Sequence, residues 1–229
     1  MKFKPSYTGS IAEDIMAERL IRAQAVEFLA DAPMRLKSGL ISPVYVDNRK
    51  LFSHPEAWRD IVETMASRVE EYDLEFDIVA GVEAAGSMHA AALAYRLGLP
   101  AIMVRQKAKT YGNHSRIEGG DVKGMRVLLL EDHISTGLSC LDAIRALRGE
   151  GAQVTQVMSI TNYAIPETQR LFKQEGIDTY DVIAFEKVVR KAKEMGVIDD
   201  EHEKLVLEWL QTPWTWAAMH GVVASAIEN

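Results

Sequence analysis

Residues 127–139 read VLLLEDHISTGLS, and this short run sets two kinds of chemistry side by side. Ser135, Thr136, Gly137, Leu138 and Ser139 fall where an apolar run gives way to helical spacing. A turn of that composition offers hydroxyls and backbone N–H groups to a phosphate, and the helix N-terminus adds a favourable dipole. Glu131 and Asp132 cannot serve the same phosphate. Two adjacent carboxylates suit hydroxyls, a cation or a developing positive charge. A ligand with phosphate at one end and sugar hydroxyls beside it satisfies both halves. The plain alternative is a surface turn with a capping serine or threonine, which leaves the acidic pair incidental.

Residues 104–121, VRQKAKTYGNHSRIEGGD, supply the opposite charge. Arg105, Lys107 and Lys109 lie close together, and Gly112, Gly119 and Gly120 leave the backbone free to move. Alone, such a run is a solvated loop. Placed directly after an apolar strand, it becomes a source of cations for a diphosphate. His89, His114 and Glu118 do not make a metal cluster, because His89 belongs to a helical pattern and the other two to the loop. The single cysteine, Cys140, permits no intrachain disulfide and reads as a small core residue.

Short apolar runs alternating with helical patterns must position these groups. The runs are 76–82, 101–104, 126–130, 154–160 and, more weakly, 181–184. Helical spacing covers 87–96, 139–148 and 165–174 between them, with glycine stops at Gly98, Gly149 and Gly176. This alternation predicts an α/β fold with a central parallel sheet covered on both faces, whose ligands sit at the carboxyl ends of the strands. Upstream, 10–30 has helical periodicity, 37–52 reads as strand and loop, and 55–70 returns to helix behind Pro55. Downstream, 185–195 and 199–211 are helical, the second opened by acidic residues as the dipole favours. Trp214 and Trp216 read as packing anchors.

The chain has 229 residues, 48% hydrophobic, with a formal net charge of −7, enough for one sizeable core. The acidic balance gives no support to a nucleic-acid or membrane-surface protein. Without a signal-like or membrane-length apolar run, a cytoplasmic setting is expected. One domain over 1–229 is expected, with an N-terminal helix and hood at about 1–60, a core at 61–184 and a helical tail at 185–229.

The 127–139 run resembles the signature by which type I phosphoribosyltransferases bind phosphoribosyl pyrophosphate (PRPP), and the wider sequence is similar to orotate phosphoribosyltransferases. The similarity spans about residues 28–221. The segments RLKSG (35–39) and SPVYVD (42–47) resemble that family's motif L-K-S-G-x-x-S-P-x-Y. The basic run resembles its mobile loop, V-R-K-x-x-K-x-H-G followed by I-E-G, with Gln106 in place of a basic residue and Tyr111 in place of histidine. GVEAAGS (81–87) stands where the family has its pyrophosphate loop. Thr161-Asn162-Tyr163 stands where many members carry Asp-Arg, the arginine meeting the orotate carboxylate; one subgroup has an aromatic there instead.

The resemblance implies that Glu131 and Asp132 hold the ribose hydroxyls and residues 135–139 the 5′-phosphate. It implies that Lys109 and Arg105 meet the leaving diphosphate, with Lys107 and Tyr111 as further loop positions toward substrate, and that Lys37 and Tyr45 lie by the base. His133 is unassigned. The implied reaction converts orotate and PRPP to orotidine 5′-monophosphate and pyrophosphate. Mg²⁺ would be held through PRPP rather than by protein ligands. The implied assembly is a homodimer whose 105–120 loop reaches the neighbouring active site. Transfer to another nucleobase, a non-catalytic PRPP-binding regulator and a plain nucleotide-binding α/β protein remain open alternatives.

Overall fold

The computed structural model describes residues 10–107 and 115–222. Helix α1 (Ser10–Arg22) leads into β1 (Val26–Phe28), β2 (Met34–Arg35), β3 (Ile41–Ser42) and β4 (Val44–Val46), then a 3-10 turn at Asn48–Ser53. The helical periodicity of 10–30 overshoots. The chain leaves the helix through Gln24, at φ 54°, and Val26 to Phe28 pair antiparallel with Val46 to Val44. Partnering by the β-branched run of β4 overrides the local spacing.

The core follows as α2 (Pro55–Glu71), β5 (Ile78–Val82), α3 (Ala85–Leu97), β6 (Ala101–Val104), β7 (Ile117–Glu118), β8 (Arg126–Ile134), α4 (Leu138–Gly149), β9 (Gln153–Asn162), α5 (Pro166–Gln174) and β10 (Asp178–Ala184). Helices α6 (Phe185–Glu194), α7 (Asp200–Gln211) and α8 (Trp216–Met219) form the tail. One sheet runs β10-β9-β8-β5-β6-β7, parallel except for β7. Leu128 and Leu130 face one apolar layer and Val127 and Leu129 the other, as a sheet covered on both sides requires. The order reverses between β5 and β8. There the crevice outside the strand ends opens.

Strand β8 is longer than its apolar run. Pairing with β9 continues through Glu131, His133 and Ile134, so the acidic pair sits on the strand instead of in the turn beyond it. In the tail, Trp216 is fully buried as an anchor, whereas Trp214 is half exposed. Asp199 caps α7 by accepting from the His202 N–H at 2.9 Å. Among the described residues no helix is long and apolar enough to cross a membrane.

Between β9 and β10, the Ser159 hydroxyl donates to Asp181 at 2.6 Å. Burial pushes the Asp181 carboxyl up to about 6, against the opposing pull of Ser159 and Asn162. The folded group therefore holds its proton over a range in which the unfolded one releases it. Its contribution is most favourable at low pH and declines as pH rises from about 4 through 6. Asp181→Asn keeps an acceptor for Ser159 and removes that decline. Relative to the parent, the variant should gain on the order of 1–2 kcal/mol between pH 4.5 and 7.5, measured by urea unfolding at both pH values.

Candidate active site

The switch point is built by glycines as much as by side chains. A Cβ on Gly81 would stand 2.4 Å from the Ser87 backbone, and one on Gly86 would stand 2.7 Å from the Leu130 carbonyl. Only glycine lets the 81–87 loop fold back against β8. The Ser87 hydroxyl closes that loop by donating to the Gly81 carbonyl at 3.1 Å.

Beside it, Glu131 is buried and Asp132 half-buried. Glu131 lies close to Gly86 and to the Cys140 thiol, which is 3.9 Å away. Burial raises its pKa well above the ordinary carboxylate range, and the adjacent Asp132 charge adds to the effect. Burial raises Asp132 as well, while its contact with Glu131 opposes the rise. The pair is therefore an economical place to hold hydroxyls, since Glu131 resists carrying a second negative charge. Cys140 is a buried core residue, its thiol pushed further up by burial and the acidic neighbours.

Past the pair, Gly137 takes φ 72° and α4 begins at Leu138. The first N–H groups of a helix have no intrahelical partner, so this turn presents donors outward. Leu138 is 61% exposed, and as an apolar side chain it has no hydrogen-bond donor to offer a phosphate.

Above the turn stands the hood. A cavity of about 370 Å³ is lined by Lys37, Ser38 and Tyr45 from the hood and by His133, Ser135, Thr136, Leu138, Ser139 and Tyr163 from the sheet side. Two separately recognised sequence segments thus meet on one space, of a size suited to a small ligand. Ser38 Oγ, His133 Nε2 and Ser135 Oγ are closed to water and lack a hydrogen-bond partner among the described residues. Buried polar atoms are normally paired, so three orphans on one cavity mark a place for a ligand's own polar groups.

The clamp between hood and sheet was missed in the sequence. Asn48 Nδ2 donates to the Asp132 carbonyl at 2.7 Å and to Thr161 Oγ1 at 3.1 Å. Trp209 Nε1 donates to the Ile41 carbonyl at 2.8 Å, and the Tyr163 hydroxyl to that of Val44 at 3.4 Å. Tyr163 packs edge-on against His133, Phe185 and Trp209. Asn48 directly follows the SPVYVD segment, and only that adjacency could have flagged it.

The stalks of the basic loop are pinned. Gln106 donates from its backbone to the Glu83 carboxylate at 3.0 Å and from its side chain to the Glu83 carbonyl at 3.1 Å. Arg105 pairs with Glu118 at 2.9 Å, and Arg116 bonds the Arg105 carbonyl and Asp142. Lys107 is exposed. Lys109 and Tyr111 lie outside the described residues. Among those described, no group of three His, Cys, Asp or Glu side chains could cage a metal. The donor set fits Mg²⁺ carried by a diphosphate, an ion that keeps water and phosphate oxygens as ligands.

A twisted parallel sheet with an acidic pair and a phosphate turn at its switch point, beneath a hood, defines a type I phosphoribosyltransferase. The family model described as a phosphoribosyl transferase domain matches residues 47–194. An orotate phosphoribosyltransferase of Coxiella burnetii is 41% identical over 201 residues, covering 88% of this chain and 96% of that protein. The chain belongs to the orotate phosphoribosyltransferase family. Leishmania donovani UMP synthase superimposes with a TM-score of 0.77 at 27% identity, over 88% of this chain but 42% of that longer one. The Mycobacterium tuberculosis orotate phosphoribosyltransferase in complex with PRPP superimposes with a TM-score of 0.60 at 26% identity, over 77% of this chain and 98% of that one.

Removing the Asn48 amide leaves Thr161 and the Asp132 carbonyl without their shared donor. Asn48→Ala should cost about 1–3 kcal/mol in denaturant unfolding and raise the KM for both substrates, because hood and turn lose their common fix. Unfolding curves and steady-state kinetics on the same preparation check both effects.

Proposed function

We propose that this chain transfers the phosphoribosyl group of PRPP to orotate, giving orotidine 5′-monophosphate and pyrophosphate. The observation that carries this reading is the shared cavity. It brings Lys37 and Tyr45, expected beside a base, onto the same space as Ser135, Thr136 and Ser139, expected beside a 5′-phosphate. The curated relatives named as orotate phosphoribosyltransferases support the choice of base.

In this reading the 5′-phosphate rests on the 135–139 turn, taking its hydroxyls and the free N–H groups of α4. Glu131 and Asp132 accept from the ribose hydroxyls, and the Asp132 charge favours the positive character that grows on the sugar as the anomeric C–O bond breaks. The 81–87 loop offers backbone donors to the departing diphosphate. Arg105, Lys107 and Lys109 add cations, and Tyr111 lies in the same loop. The base lies under the hood against Tyr45, with Lys37 at its edge. Mg²⁺, bound with PRPP, supplies charge neutralisation for the diphosphate; the acidic pair would support it through the ribose oxygens. Loop closure would exclude water from the reacting sugar.

The assembly in this reading is a homodimer in which the 105–120 loop reaches the neighbouring site. An exposed apolar stripe on α3 supports a partner surface: Met88, Ala91 and Tyr95 share one face, and Tyr95 is 91% exposed. We read the whole chain as one domain with hood, core and tail, acting in the cytoplasm.

Orotate absorbance should fall when PRPP and Mg²⁺ are added to purified protein. Loss only with a different base would assign another nucleobase, and PRPP binding without turnover would assign a regulator. Lys109→Ala should lower kcat by the equivalent of about 2–4 kcal/mol while leaving the melting temperature unchanged. Asp132→Asn should yield a folded protein with impaired PRPP use; kinetics equal to the parent's would reduce the acidic pair to architecture.

A further inference from the structure

His133 lines the cavity, and neither the phosphate nor the sugar reading gives it work. Its ring is held on two sides. Nδ1 lies 2.8 Å from Thr161 Oγ1, and the ring stands edge-on to Tyr163 at 4.2 Å between centroids and 74° between planes. Tyr163 cannot yield, being itself buried against Phe185 and Trp209.

Thr161 Oγ1 already accepts from Asn48 Nδ2, which has no hydrogen to receive from it in return. Thr161 Oγ1 and His133 Nδ1 share one hydrogen, and its direction follows the tautomer of the ring. With the threonine hydroxyl as donor, the hydrogen of a neutral imidazole stands on Nε2. That Nε2 is the atom with no partner among the described residues, on a residue that lines the cavity with Lys37 and Tyr45. An uncharged donor in such a place wants an oxygen acceptor.

We propose that His133 is a specificity-determining contact of the base site, its Nε2–H donating to an exocyclic oxygen of the pyrimidine. Asn48 and Thr161 act through it as positioning residues, fixing which ring nitrogen carries the proton. The inference rests on the orotate reading and deepens it. It gives a polar contact to a base site in which the 161–163 segment carries no arginine. Discrimination of this kind comes from the penalty of an unpaired buried donor when the acceptor is missing.

The test compares two ligands by calorimetric titration, without turnover: orotidine 5′-monophosphate, which carries the base, and ribose 5-phosphate, which does not. His133→Leu should weaken orotidine 5′-monophosphate at least tenfold and change ribose 5-phosphate less than twofold. His133→Gln, whose amide reaches a similar point, should recover most of the loss. Equal weakening of both ligands, or neither changed, overturns the proposal. Thr161→Val keeps the ring and removes the hydroxyl that meets both His133 Nδ1 and Asn48 Nδ2, while Asn48 keeps its bond to the Asp132 carbonyl, so it serves if the leucine variant does not fold. It should weaken the base-bearing ligand severalfold and spare the other; unchanged affinity overturns the proposal equally. A parent protein that binds ribose 5-phosphate but not orotidine 5′-monophosphate overturns the orotate reading itself, and the role of His133 with it.

Discussion

A single primary amide joins the two halves of this site. Asn48 sits at the start of the 3-10 turn, and its Nδ2 reaches the Asp132 carbonyl on β8 and the Thr161 hydroxyl on β9. Those strands are paired to their last residues, His133 to Thr161 and Ile134 to Asn162. The rim on which Asn48 rests is therefore rigid. Hood strands of two or three residues have little stability of their own. Fixed to the rim by Asn48 and Tyr163, and to the tail through Trp209, they become one wall of a defined cavity.

The electrostatics follow from the same placement. The chain is acidic overall, at −7, yet its reading requires two phosphate-bearing groups to bind. The long-range field of an acidic chain repels such a ligand, so affinity must come from close donors and local cations. The switch point provides the donors as backbone: a loop that only Gly81 and Gly86 allow, and a helix start behind Gly137. The acidic pair would repel the same ligand were both carboxylates fully charged. Burial of Glu131 softens that conflict by favouring its protonated form beside Asp132.

Much of this was legible in the sequence where a residue's chemistry was local. The alternation of apolar runs and helices gave the sheet, and β6 runs over the span its apolar run marks. Acidic pair and S-T-G turn stood adjacent in the chain, so their joint chemistry could be read without a fold. What failed was non-local. The apolar run 126–130 ended at the first carboxylate, although β8 continues because β9 remains beside it. The 10–30 periodicity hid a strand whose partner lies twenty residues on. Asn48 carried no signal because its partners are 84 and 113 residues away. His133 is unassigned from the sequence for the same reason: its ring contacts are Thr161 and Tyr163, across the sheet.

The departures in the basic loop are best understood from its stalks. Gln106, which departs from the motif that the loop resembles, makes two bonds to Glu83 and so ties the loop's exit to the segment that folds back over β8. A lysine there could meet the Glu83 carboxylate, but a flexible ammonium would not fix the direction in which the chain leaves β6. On the other stalk, Arg116 bonds the Arg105 carbonyl and reaches Asp142 on α4, while Arg105 is engaged by Glu118. Both stalks are therefore tied down where they leave the sheet. Gln106 thus carries no charge of its own and instead makes a two-point tie between the end of β6 and the 81–87 loop.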